Sequence, residues 1–181
     1  MTDYFNEILT ACHAGLYRIA LSSALTLPDV CASLYPNAKD GTATNNVGKR
    51  YKNWYNKYAK KNCIIDASVC YQYRCSMVHK VRGVLENEEK TRMAFFMPET
   101  SSCGFFDCDV QITFIEPDGK SVEEKAKLID IEEFITKMVK SAIDWYNNVK
   151  DESEFKTNYA YFVQPRPESP LCHLTGGLII Y

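Results

Sequence analysis

Residues 66–83 read Asp66-Ala-Ser-Val-Cys-Tyr-Gln-Tyr-Arg-Cys-Ser-Met-Val-His-Lys-Val-Arg-Gly83, and the rest of the chain is interpreted outward from them. Asp66 is suited to accept hydrogen bonds from the free amides of a first helical turn, and Gly83 to the left-handed conformation that ends a helix. Val69, Tyr73, Met77 and Val81 recur at helical spacing, which predicts one helix over 66–83 with a buried face. That helix carries Arg74, a permanent cation, and His79, which titrates near neutral pH.

The whole chain has 181 residues, enough for one domain with a real core and short for two. At 46% hydrophobic and 13% aromatic it has a globular composition. A net charge of −2 excludes a global attraction to nucleic acid or to an anionic membrane, so any such contact must come from a local patch. No apolar run reaches the roughly 20 residues that span a bilayer. Met1-Thr-Asp-Tyr-Phe-Asn-Glu7 lacks the basic-then-apolar order of a secretory signal, so the expected location is the cytoplasm. The cysteines at 70, 75, 103 and 108 form two C-x4-C pairs, a loose match to zinc spacing. On a regular helix Cys70 and Cys75 point about 140° apart, so buried free thiols are the preferred reading.

A long first helix is expected over 3–25, ended by Pro28, which opens a short helix through Val30, Cys31 and Leu34. His13 falls off the apolar stripe and is expected at the surface. A polar loop over 36–46 leads to a helix over 47–60, with Val47, Tyr51, Trp54, Tyr55 and Tyr58 on its packed face. The opposite face carries Lys49, Arg50, Lys52, Lys57, Lys60 and Lys61. Lysines interleaved with aromatics suit phosphate contact and base stacking, although a solvated basic face is the plainer account. Residues 92–97 and 109–116 read as β-strands, and Glu116-Pro-Asp-Gly119 as a turn returning a hairpin partner over 121–128. Asp130 caps a strongly amphipathic helix over 130–148, with Glu133 placed for a capping box. A loop is expected over 100–104, a charged linker over 150–156, a strand over 159–163 and an apolar tail over 171–181. No internal repeat appears, and His173 has no neighbouring acid.

Arg74-Cys-Ser-Met-Val-His79 matches the R-x4-6-H motif of HEPN domains, and the wider layout resembles that family over about residues 4–148. A long first helix, the Leu27-Pro-Asp29 break, a Tyr/Trp-rich helix, the motif helix and a capped late helix occur in the same order. The resemblance implies a mainly α fold: a single HEPN-like helical bundle over 1–181. Its core helices span about 3–148, with a small β-hairpin inserted at about 91–128 and a C-terminal extension over 149–181. In many members it implies a metal-independent endoribonuclease acting as a homodimer on RNA, with no cofactor. A toxin or phage-defence effector restrained by an antitoxin or another regulatory protein is the corresponding biology. Arg74 and His79 are then the catalytic pair, and Ser76, Lys80, Arg82, Lys49 and Arg50 the candidates for substrate contact. Tyr71 and Tyr73 are read as packing residues.

The chemistry is coherent without the resemblance. Metal-free RNA cleavage needs a base for the ribose 2′-hydroxyl proton, an acid for the leaving oxygen and positive charge at the phosphate. One helix holds a single copy of Arg74 and of His79, whereas two copies across a two-fold axis supply two of each. Cys75 stands where many active members carry a polar residue. It favours the alternative, a non-catalytic HEPN-like module that dimerises or binds a nucleotide or protein. A zinc module built on the C-x4-C pairs is the third reading.

Overall fold

Gly15, with φ +73°, divides the expected first helix in two. The computed structural model describes residues 1–63, 65–77, 91–97, 108–115, 117–166, 169, 179 and 180. Within them α1 spans Thr2–His13 and α2 spans Tyr17–Leu34. Gly15 N–H donates to the Cys12 carbonyl and Leu16 N–H to the Ala11 carbonyl, both at 2.9 Å. This is a Schellman closure, which needs a left-handed residue that only glycine supplies cheaply.

Pro28 does the opposite of what is expected from it, because α2 runs through it. An interior proline costs a helix about 3 kcal/mol in isolation. Here Leu25, Leu27, Cys31 and Ala32 on the same segment are completely buried, and that packing offsets the missing hydrogen bond. As a result Asp29 is a buried helical residue and does not begin a new element.

The aromatic helix is α3, Val47–Trp54, with the Asn46 side chain accepting from Lys49 N–H at 2.9 Å. It widens into a π-helical turn over Tyr55–Ala59. Tyr51, Trp54 and Tyr55 are buried as the packed-face reading requires, but Val47 is exposed. Tyr51 donates to the Leu25 carbonyl at 3.1 Å and Tyr55 to the Ile65 carbonyl at 2.9 Å, so each buried hydroxyl has a partner.

The motif helix α4 is described over Ala67–Cys75, and Asp66 caps it by accepting from Ser68 N–H at 2.8 Å. Its buried line runs Ala67, Cys70, Tyr73 and Ser76, with Val69 and Met77 packed at the edge. Ser76 and Met77 continue into a π-type turn. Val81, Gly83 and the loop over 100–104 lie outside the described residues.

The expected hairpin is present as β2, Cys108–Ile115, antiparallel to β3, Ser121–Asp130, with Gly119 at φ +83° in the turn. The strand expected over 92–97 is β1, Thr91–Phe96, and it pairs parallel to β3 on its other side, giving sheet order β1-β3-β2. Phe95 of β1 lies 5.3 Å from the Tyr73 ring and 5.4 Å from Phe134, which ties the sheet to the motif helix.

Helix α5, Ile131–Val149, is capped by Asp130, whose Oδ1 accepts from Glu133 N–H at 3.0 Å. Trp145 meets Trp54 edge-on at 6.2 Å in the middle of the core. The charged linker and the strand after it are not observed; α6, Ser153–Tyr159, takes their place. Phe155 and Tyr159, four residues apart, stack at 5.4 Å, and Phe155 packs on Trp145 at 5.8 Å. Two aromatics on one turn thus hold a helix that charge-rich composition disguises. The architecture is mainly α with a small mixed sheet. No helix among the described residues is long and apolar enough to cross a membrane. Of the tail, Ile180 forms an antiparallel bridge with Pro165, and residues 171–178 lie outside the described residues.

Candidate functional site

Arg74 is near the end of α4, and its guanidinium Nη2 is 2.7 Å from Asp29 Oδ2 of α2. Both side chains are largely removed from water, at 17% and 12% exposure. The pair exists because α2 passes uninterrupted through Pro28 and packs against α4. Asp29 Oδ1 accepts no hydrogen bond from the described residues. Burial pushes the Asp29 carboxyl above its usual range, while Arg74 and then Arg50 pull it back down. Two guanidinium groups therefore act on one carboxylate.

Arg50 of α3 is half-buried, and its Nε is buried with no hydrogen-bond partner among the described residues. Helices α3 and α4 approach closely because residue 48 is glycine. A Cβ there would stand 3.0–3.2 Å from the Tyr71 ring. Tyr71 lies against Tyr51 at 5.1 Å. Its hydroxyl is pushed up by burial and by its contact with the Cys75 thiol. The guanidinium Nη1 of Arg74 is also 4.0 Å from that thiol. Cys75 is thus a neighbour of the arginine and a partner of Tyr71, and it is only half-buried.

Of the sequence-derived set, Arg74 pairs with Asp29 and Arg50 acts electrostatically on the same carboxyl, with Lys49 exposed on the same helix as Arg50. Ser76 lies on the buried side of α4, 8% exposed. His79, Lys80 and Arg82 lie outside the described residues. The basic face is partly neutralised: Lys57 binds Asp40, which Tyr58 also contacts, and Lys60 stands 3.8 Å from Asp66. Tyr73 is buried against Phe95, in keeping with a packing role.

Asp29 is the residue that sequence reasoning missed. Its visible signal was the Leu27-Pro-Asp29 tripeptide, read only as a helix break. Asp29 also lines a shallow groove of about 490 Å³ between α2 and residues 158–163, with Ser33, Leu34, Asn158 and the exposed Tyr161. Cys70, fully buried beside the Tyr51 hydroxyl at 3.2 Å, has its thiol pushed up to about 12, chiefly by burial. Such a thiol is an inert core group. Compared with known protein families, with proteins of described function and with solved structures, the chain shows no match.

Proposed function

We propose that this chain is a HEPN-type, metal-independent endoribonuclease that acts as a homodimer, with Arg74 gripping the scissile phosphate and His79 moving the proton. The observation that supports this most directly is the Arg74–Asp29 contact at 2.7 Å. A carboxylate that holds the motif arginine in one orientation before substrate arrives removes the entropy cost of immobilising it later. In the reaction a base takes the ribose 2′-hydroxyl proton, the oxygen attacks phosphorus, the P–O5′ bond breaks and an acid protonates the departing 5′ oxygen. One histidine from each copy supplies base and acid, and the two arginines balance charge on the phosphate. A toxin or defence role, held in check by an antitoxin or other regulatory protein, accords with this activity.

The test is cleavage of RNA by purified protein in excess chelator. Wild type is expected to leave 2′,3′-cyclic phosphate ends, and His79→Ala to abolish cleavage with an unchanged thermal midpoint. Equal cleavage by His79→Ala rejects the proposal. A second reading, a non-catalytic module that dimerises or binds a nucleotide or protein, is favoured by the 17% exposure of Arg74 and its engagement by a carboxylate. Absence of cleavage together with a stable dimer in solution selects it.

A further inference from the structure

We propose that the outer face of α1, with the corner that follows it, is a docking groove for a basic amphipathic helix of another protein. The inference does not depend on RNA cleavage. Phe5, Ile8 and Cys12 are buried at three- and four-residue spacing, and Leu16 and Ile19 continue that spacing. On one unbroken helix all five would face the core. The turn at Gly15, with φ +73°, starts α2 in a new direction, and Leu16 and Ile19 are left 52% and 61% exposed. The fold thus holds two large aliphatic side chains in water within one turn of each other, the mark of a contact surface.

Leu16 lines a groove of about 460 Å³ together with Asp3, Glu7, Ala11 and Ala14. These α1 positions recur every three or four residues, on the face opposite Phe5, Ile8 and Cys12. From residue 3 to residue 14 a helix rises about 16 Å, or about three turns. The groove is therefore acidic toward the start of α1 and apolar toward the Gly15 corner.

Charge decides which partner fits. Asp3 and Glu7 are exposed and form no ion pair among the described residues. Asp3 also complements the amino end of α1, but Glu7 lies in the second turn, beyond that role. No lysine or arginine lines the groove. The two carboxylates repel a phosphate polymer or an anionic lipid surface, and the net charge of −2 adds to this. In a second copy of this chain the aromatic face of α3 is buried and Lys57 is already paired with Asp40, so another protein is the better-matched occupant. A helix with lysine or arginine over Asp3 and Glu7, and an aliphatic residue against Leu16 and Ile19, satisfies both ends of the groove. Anchors spaced i, i+3 or i+4 and i+7 on such a helix fit within the length of α1.

The probe is a pair of synthetic helices of about 16 residues, long enough to form in water when alanine-rich. They are identical except for lysine or glutamate at the two positions meant for Asp3 and Glu7, and a scrambled lysine peptide is the control. Binding is read by fluorescence anisotropy at about 0.1 M salt. Wild type is expected to bind the lysine helix about fivefold or more tighter than either other peptide. Ile19→Ser is expected to weaken binding about tenfold, the loss of one buried aliphatic side chain. Asp3→Lys with Glu7→Lys is expected to reverse the preference in favour of the glutamate helix. Asp118→Lys with Glu123→Lys, the same charge change on the exposed hairpin, is expected to alter binding less than about twofold. All these side chains are exposed, and unchanged thermal midpoints show that the variants are folded.

No preference of wild type for the lysine helix overturns the groove. Unchanged binding in Ile19→Ser, or equal weakening by the hairpin variant, overturns it as well. So does a wild-type dimer that Ile19→Ser dissociates, which assigns the face to a second copy, and so does RNA binding that Ile19→Ser abolishes, which assigns it to substrate.

Discussion

Removing Asp29 and removing Arg74 should have unequal consequences, and the inequality follows from the charges around them. The ion pair is 2.7 Å long and both partners are mostly buried. Opposite charges about 4 Å apart attract by about 4 kcal/mol at an effective dielectric constant near 20. Burial works against this, and for Asp29 it is the larger effect, since the carboxyl is raised even with two arginines nearby. A folded-state pKa above the unfolded value means the folded protein favours the protonated acid. This contribution to stability is present below the ordinary carboxyl value of 3.8 and is lost as pH rises through the raised folded value. The neutral isostere Asp29→Asn is therefore expected to be neutral within about 1 kcal/mol, or slightly stabilising, at pH 7.

Arg74→Gln strips the carboxylate of its close partner while it stays buried. A fully buried pair broken in this way costs about 3–5 kcal/mol, and partial exposure reduces this to about 2–3 kcal/mol. For a chain of 181 residues that is a fall in thermal midpoint of roughly 4–12 °C. In the double variant most of the loss should be recovered, because no buried charge is stranded. The assay is urea unfolding of wild type, both single variants and the double variant at pH 4 to 8. Asp29→Asn should also flatten the acid end of the stability profile. An Asp29→Asn cost larger than that of Arg74→Gln would refute the reasoning, as would an unchanged pH profile. Either outcome would mean that attraction outweighs desolvation at this site.

Three other outcomes are expected. Gly15→Ala forces a left-handed alanine with open space around it, so strain alone acts and unfolding free energy should fall by about 1 kcal/mol. Asp40 is held below its usual value because its hydrogen bonds with Lys57 and Tyr58 outweigh burial. Its contribution is present above the ordinary carboxyl value of 3.8 and lost as pH falls through the lowered folded value, and Asp40→Asn should cost about 1–2 kcal/mol at pH 7 and little in acid. In the native protein Cys75, half-exposed, should alkylate before the buried Cys12, Cys31, Cys63 and Cys70, as read by mass spectrometry after brief iodoacetamide treatment. Faster labelling of Cys70 would contradict its burial.

What could be read locally was read well, because the responsible forces act within a few residues. Asp66, Asn46 and Asp130 cap the helices they precede, since a side-chain oxygen needs only the next two or three amides. The hairpin around Gly119 follows from turn chemistry. The failures share a cause as well. The local penalty of Pro28 predicts a break, which packing of α2 outweighs; the charge of residues 150–156 predicts a linker, which two aromatic contacts of α6 outweigh. Strand β1 carries no signal for a parallel partner more than thirty residues away.

By itself, then, the sequence determined the helical class, the caps, the hairpin and the positions of Arg74 and Arg50, because periodicity and capping are properties of neighbouring residues. Only the tertiary structure decided that Asp29 stands against Arg74, that Arg50 acts on the same carboxylate and that Ser76 turns inward. Those relations depend on how α2, α3 and α4 pack, and on the shielding from water that gives a single carboxylate such weight between two cations.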